Sequence, residues 1–62
     1  MKDQYKIALL TDTTTLYYNE EANVFSEKHG TIYYSRRKAT EKLDYARKYG
    51  TSLNGVFTVM KV

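Results

Sequence analysis

The chain has no cysteine and no proline. Without cysteine there is no disulfide framework, and the single histidine supplies too few ligands for a structural zinc site. Two usual supports of very small domains are therefore excluded, so packing or a partner must provide the stability. The absence of proline leaves asparagine, aspartate and only three glycines to mark the turns.

Long hydrophobic runs are also missing. The apolar stretch near the beginning extends only from Ile7 to Leu10, which is far too short for a signal-peptide core or a membrane span. The sequence therefore predicts a cytoplasmic protein without a membrane partner. A length of 62 residues predicts a single domain, residues 1–62.

Charge is distributed unevenly along the chain. Residues 1–27 contain two basic side chains against five carboxylates, a net charge of −3, whereas residues 28–62 contain eight against two, a net charge of +6. A basic segment attracts nucleic acid, an anionic membrane or an acidic protein surface. The alternative is a helix face that is simply solvated.

Alternating apolar residues predict a sheet at the beginning of the chain. Tyr5, Ile7 and Leu9 share one face of a first strand, and the β-prone residues 14–18 predict an antiparallel partner after a short turn. A second turn then leads into a brief extension at residues 24–25. These elements predict a hairpin with a short third segment.

Two further strands flank the predicted helix. Residues 31–34 predict a third short strand, and residues 56–62 predict a last strand after the Asn54-Gly55 turn. The alternation in the last strand leaves two choices for its inward-facing residues: Phe57 and Val59, or Val56, Thr58 and Met60.

A helix from Arg36 to about Tyr49 is the clearest element, with Ser35 as its N-cap and Gly50 at its C′ position. Its apolar stripe contains two alanines, which predicts a close approach to the sheet; the stripe is Ala39, Leu43 and Ala46, with Tyr49 at its edge. The predicted fold is α+β, a three- to four-stranded antiparallel sheet with one helix on one face, in the order β-β-(β)-α-β.

The residues needed for catalysis are scarce. His29 stands alone beside Gly30 in a predicted loop, and the adjacent Glu20 and Glu21 lie in a turn, where they should point apart into water. No glycine pattern matches a phosphate-binding loop. The sequence therefore predicts a protein that is not an enzyme, with no cofactor and no metal.

The first turn of the predicted helix is unusually basic, because it contains Arg36, Arg37 and Lys38. Free backbone N–H groups already make this end positive, so each cation there should cost about 0.3 to 1 kcal/mol at low salt. A bound anion would reverse the sign, and these side chains with Ser35 could hold a phosphate or the carboxylates of a partner. Alternatively, the side chains extend into solvent or lean on Glu41.

Two tyrosine doublets lie in β-prone segments of a chain with seven tyrosines and no tryptophan. Successive strand residues point to opposite faces, so one ring of each doublet must leave the core. About four of the seven tyrosines are needed to fill the core. The others predict an aromatic surface for a partner, and the candidate binding residues are Tyr17, Tyr18, Tyr33 and Tyr34 with Arg36, Arg37 and Lys38.

The segment 31–50 resembles the strand, capped helix and glycine stop common in very small phage-encoded proteins; it reads Thr31-Ile32-Tyr33-Tyr34-Ser35 and then, from Ala39, ATEKLDYARKYG. The layout of residues 5–62 is similar to that of small phage inhibitors of bacterial RNA polymerase. This resemblance implies a protein that acts in the host cytoplasm by docking onto a host enzyme. The chain shares no functional motif with these inhibitors, so the resemblance assigns no residue roles.

The leading hypothesis is a non-enzymatic modulator that binds a host protein with an acidic surface, and it takes that host protein to be a nucleic-acid-processing or defence enzyme. The alternative is a single-stranded nucleic-acid-binding protein, in which bases stack on outward tyrosines and helix-end cations follow the phosphates. A homodimer joined through the open sheet face or an edge strand is compatible with either hypothesis.

Overall fold

A computed structural model of the chain describes residues 3–28, 30–51 and 53–62. Four antiparallel strands form one sheet in the spatial order β3-β2-β1-β4, with one helix on it. The predicted α+β class and element order are confirmed. The elements are β1 (Tyr5–Leu10), β2 (Thr15–Asn19), β3 (Val24–Ser26), α1 (Arg36–Ala46), a 3₁₀ turn (Arg47–Tyr49) and β4 (Val56–Lys61).

The strand registers place one set of alternating apolar residues from each strand on the face that the helix covers. Ile7 of β1 lies opposite Val59 of β4, and Leu9 lies opposite both Leu16 and Phe57. The first of the two alternatives for β4, with Phe57 and Val59 inward, is therefore confirmed. The buried cluster between sheet and helix consists of Ile7, Tyr18, Tyr33, Ala39 and Ala46.

The helix begins as predicted, because Ser35 has extended backbone angles and its side chain accepts a hydrogen bond from the Lys38 N–H at 3.4 Å. Its end differs from the prediction. Regular α-helix stops at Ala46, and Gly50 has a φ of −120° instead of the left-handed value of a C′ glycine. Gly50 is needed for space, since a Cβ there would lie 2.8 Å from the Phe57 ring.

The connection from β3 to the helix crosses from one face of the sheet to the other through residues 30–33, here called the crossing segment. Gly30 lies against Tyr17 on the face away from the helix. Thr31 N–H then donates to Tyr18 O of β2 at 2.9 Å, and Tyr33 exchanges two hydrogen bonds with Tyr5 of β1, at 2.7 and 2.8 Å. The crossing segment thus separates the ends of β1 and β2.

The prediction of a regular strand at residues 31–34 is wrong. Its backbone hydrogen bonds go to two different strands, so only the single pair Tyr5 and Tyr33 forms a β-bridge. The third strand of the sheet is Val24–Ser26, which the sequence predicted only as a brief extension. The predicted loop histidine, His29, lies outside the described residues.

Candidate partner-binding groove at the helix start

A surface groove with a cavity volume of about 640 Å³ lies where the crossing segment meets the first turn of α1. It mixes aromatic, basic and acidic side chains, because the crossing segment, the residues before β1 and the residue after β2 converge there. We call it the helix-start groove. Its lining residues are Asp3, Tyr5, Glu20, Thr31, Ile32, Tyr33, Tyr34, Ser35, Arg36 and Lys38.

The three cations of the first helical turn are exposed and differ in their contacts. The Arg36 guanidinium lies 5.8 Å from the centre of the Tyr5 ring, and Arg37 makes an exposed ion pair with Glu41 at 3.6 Å. Within the described part of the chain, Lys38 and Arg36 have no carboxylate partner. The first turn contains no acidic residue, so its positive potential is neutralised only at Arg37.

One ring of each doublet lies in the core, as predicted, although only Tyr17 and Tyr18 belong to a strand. Tyr18 is fully buried and Tyr33 is only 7% exposed, whereas Tyr34 is 61% exposed at the rim of the helix-start groove. Tyr34 is therefore beside the basic turn, as the binding hypothesis requires. The assignment of Tyr18 to the binding surface is corrected, because a fully buried ring cannot contact a partner, and Tyr33 lines the groove but exposes too little of its ring to act as an anchor.

Tyr17 faces the other side of the sheet. Its ring lies 4.9 Å from the Lys6 ammonium, and its Cβ lies beneath Gly30. The predicted aromatic face is therefore not one continuous surface, since Tyr17 and Tyr34 lie on opposite sides. The structure brings Tyr34, Arg36 and Lys38 together in the lining of the helix-start groove. Arg37 lies outside that lining and is paired with Glu41, and Tyr17 is on the other side of the sheet.

Glu20 is the groove residue that the sequence interpretation missed. It was expected to point into water, but its carboxylate binds the Lys42 ammonium at 3.0 Å and accepts from the Tyr33 hydroxyl at 3.5 Å. Its backbone N–H donates to Thr31 Oγ1 at 2.9 Å. The neighbouring sequence, with Glu21 next to Glu20, does not indicate these contacts, because their partners belong to the crossing segment and the helix. The carboxylate makes one side of the groove acidic.

The exposed face of α1 also has an aromatic cluster that the sequence interpretation did not assign. Tyr45 and Tyr49 are hydrogen-bonded through their hydroxyls at 3.0 Å, and Tyr49 stacks on the buried Tyr18 with ring centres 6.2 Å apart. The ammonium groups of Lys42 and Lys48 lie 5.8 and 5.4 Å from the Tyr45 ring. Tyrosines four residues apart on a helix were the available signal.

Alkaline pH should destabilise the protein through Tyr33. Burial raises the pKa of the Tyr33 hydroxyl, and the nearby Glu20 carboxylate raises it further. In the unfolded chain this group ionises near pH 10. Its contribution to stability is therefore complete below about pH 10 and is lost as the pH rises toward the higher folded-state pKa. Urea denaturation at a series of pH values should show the free energy of unfolding falling over that range.

Tyr33→Phe should show a shallower decrease than the unmodified chain, because the hydroxyl that must ionise is absent. Tyr34→Phe is the matched control, since it removes a hydroxyl from the exposed neighbouring ring. If Tyr33→Phe and the unmodified chain lose stability equally above about pH 10, Tyr33 is not responsible.

Among the described residues, no group of three or more histidine, aspartate or glutamate side chains is arranged to hold a metal ion. No helix in that part of the chain is long and apolar enough to cross a membrane. Comparison with known proteins gave no matching family model, no matching curated protein and no matching solved structure.

Proposed function

We propose that the protein is a non-enzymatic binding module that docks onto an acidic surface of another protein through the helix-start groove. The observation that carries this proposal is the exposed Tyr34 ring beside two cations, Arg36 and Lys38, that have no carboxylate partner in the described residues. Tyrosine and arginine are the residue types that most often dominate interface energies.

The electrostatics of the first helical turn support a carboxylate as the recognised group. Its N–H groups and its three cations are unfavourable neighbours in the free protein. A partner carboxylate placed there would accept from the Arg36 guanidinium and the Lys38 ammonium and would oppose the positive helix end. Binding would thereby remove a repulsion that the free chain retains.

The acidic side of the groove favours a protein over a nucleic acid. Asp3 and Glu20 line the same cavity as Arg36 and Lys38. A continuous phosphate chain would pass beside both carboxylates, which are paired with Lys61 at 3.5 Å and with Lys42 at 3.0 Å, whereas a protein surface can place its acidic groups at the two cations alone. We therefore retain single-stranded nucleic acid only as an outcome to be tested.

The class of partner rests on the resemblance to small phage inhibitors of bacterial RNA polymerase. By that resemblance, the partner is a host nucleic-acid-processing or defence enzyme, and docking modulates it in the host cytoplasm. A chain without cysteine suits that reducing compartment.

Titration of the protein with a fluorescein-labelled hexaglutamate peptide tests whether the groove recognises carboxylates. Binding is monitored through the amide chemical shifts of the protein. The shifts should concentrate at residues 34–38. Arg36→Glu combined with Lys38→Glu should weaken peptide binding by at least about tenfold, because two exposed ion pairs of about 0.7 kcal/mol each are lost and like-charge contacts replace them. The matched control is Lys28→Glu with Lys48→Glu, which changes the net charge equally at two exposed sites away from the groove.

Equal weakening by both double substitutions would show that only net charge matters and would overturn the proposal. Shifts confined to residues outside 34–38 would do the same. A parallel titration with a ten-nucleotide oligothymidine separates the alternative. Tighter binding to the oligonucleotide, with a steep loss as salt rises, would assign the groove to nucleic acid.

A further inference from the structure

Two tyrosine side chains meet at the end of α1 in an arrangement that the binding function does not use. Tyr45 belongs to the last turn of α1, and Tyr49 belongs to the 3₁₀ turn that follows it. Their hydroxyl oxygens lie 3.0 Å apart, and their ring centres lie 5.5 Å apart with the ring planes tilted by 60°. The hydroxyl-bearing edges of the two rings therefore face each other. Neither ring lines the helix-start groove.

Both rings are open to small solutes, and the position of one of them is fixed by the core. Tyr45 is 43% exposed and Tyr49 is 39% exposed. The Tyr49 ring stacks on the buried Tyr18 ring, with the ring centres 6.2 Å apart and the planes within 20° of each other. This stacking holds the hydroxyl edge of Tyr49 toward Tyr45. Groups held side by side in this way react at effective concentrations far above those reached between separate molecules.

No other pair of tyrosines combines ring contact with exposure in the part of the chain that the structure describes. Tyr18 and Tyr49 form the one other contact between tyrosine rings there, but they are stacked face to face and Tyr18 is fully buried. Tyr34 is more exposed, at 61%, but has no tyrosine ring against it. The chain also lacks cysteine and tryptophan, which would compete for an oxidant.

We propose that Tyr45 and Tyr49 are an oxidative modification site, at which a one-electron oxidant joins the two rings as an intramolecular dityrosine. Each phenol gives up one electron and its hydroxyl proton. The two phenoxyl radicals then form a carbon–carbon bond between ring positions next to the hydroxyls, and the hydrogens at those two carbons move to the oxygens as protons. The two electrons reduce two equivalents of the oxidant, and the two hydroxyl protons pass to water.

The arrangement of the unreacted pair already resembles that of the product. In dityrosine the new bond joins carbons beside the hydroxyls, so the hydroxyls remain neighbours and the ring planes remain twisted. The 3.0 Å separation of the oxygens and the 60° tilt have both features, and only the ring centres must approach each other. The bond would connect α1 to the 3₁₀ turn across Ala46, where the regular helix ends.

Photo-oxidised tris(bipyridyl)ruthenium, with persulfate as the final electron acceptor, is a small one-electron oxidant that tests the site. At about 5 µM protein the product should be a monomer that has lost two hydrogen atoms and shows the blue fluorescence of dityrosine. Trypsin cleaves after Arg47 and after Lys48, between the two tyrosines, so peptides 43–47 and 49–61 should stay joined in the oxidised chain. Dityrosine found only at other positions, or no dityrosine at all, would overturn the proposal.

Substitutions of single hydroxyls test the assignment to this pair. Tyr45→Phe and Tyr49→Phe should each lower the yield of the joined peptides by at least about tenfold, because a phenylalanine ring does not form a phenoxyl radical. Tyr34→Phe is the matched control, since it removes the hydroxyl of a more exposed ring and should leave that yield unchanged. A yield that persists in Tyr45→Phe or Tyr49→Phe would contradict the proposal.

Unfolding tests whether the structure directs the coupling. In concentrated urea Tyr18 no longer holds Tyr49 beside Tyr45, so the yield of the joined peptides should fall by at least about fivefold while other tyrosine pairs couple. Equal yields from the folded and the unfolded chain would mean that nearness in sequence is sufficient, and would overturn the proposal.

Discussion

Replacing Ile7 by alanine is expected to unfold most of the protein at room temperature. Ile7 is 0% exposed, lies opposite Val59 in the sheet and belongs to the buried cluster under the two helix alanines. Removing a buried isoleucine side chain costs about 2–5 kcal/mol, and a core of this size rarely supplies more than about 3–5 kcal/mol. Urea denaturation followed by far-ultraviolet circular dichroism should show little or no folded baseline.

Leu10→Ala is the matched control for Ile7→Ala, because the same strand presents Leu10 on the opposite face at 40% exposure. It should cost no more than about 1 kcal/mol, since a half-exposed side chain loses little buried area. Similar costs for both substitutions would show that the face covered by the helix is not the main source of stability.

The helix and the strands could be predicted because their signals are local. The positions of Ser35, Ala39 and Ala46 fix the start and the buried side of the helix, and each is separated from the next by seven residues or fewer. Alternation in β1 and β4 likewise depends only on neighbouring residues. The predicted α+β class followed from these periods alone.

The crossing segment could not be predicted because it depends on residues distant in sequence. Residues 31–34 have the composition of a strand, but their hydrogen-bonding partners are distant in sequence. Tyr33 pairs with Tyr5, which is 28 residues away, and Thr31 bonds Tyr18, which is 13 residues away. The contact of Glu20 with Lys42 has the same origin. The local composition does not show that the ends of β1 and β2 separate. It therefore cannot show that the crossing segment lies between them.

The crossing also explains why the predicted tyrosine face is divided. Tyr17 and Tyr34 are the more exposed rings of their doublets, as the alternation required. The chain passes from one side of the sheet to the other between them, through the crossing segment. Their exposed rings therefore lie on opposite surfaces, and only Tyr34 lies beside the basic turn. The alternation within each doublet indicates the candidate residues, but this division depends on the path of the crossing segment.

Replacing Gly30 by alanine should destabilise the protein and distort the helix-start groove. A Cβ at Gly30 would lie 2.6 Å from Tyr17 Cβ and 3.3 Å from Lys6 Cδ. No glycine among the described residues has a positive φ, so the effect is steric and not a matter of backbone angles. Tyr17 Cβ is held by the pairing of β2 with β1 and β3, so the crossing segment must move. Overpacking of this kind costs about 1–3 kcal/mol.

The displacement from Gly30→Ala should reach the groove because Thr31 and Tyr33 follow directly in the chain. The Thr31 N–H bond to Tyr18 O should lengthen, and the Thr31 amide should exchange faster than in the unmodified protein. Combining Gly30→Ala with Tyr17→Gly removes the Tyr17 Cβ that the new Cβ would contact. In urea denaturation, the double substitution should therefore lower the free energy of unfolding by less than the sum of the two single substitutions. Strict additivity, with unchanged exchange at Thr31, would mean that the close approach of Gly30 to Tyr17 does not hold the crossing segment in place.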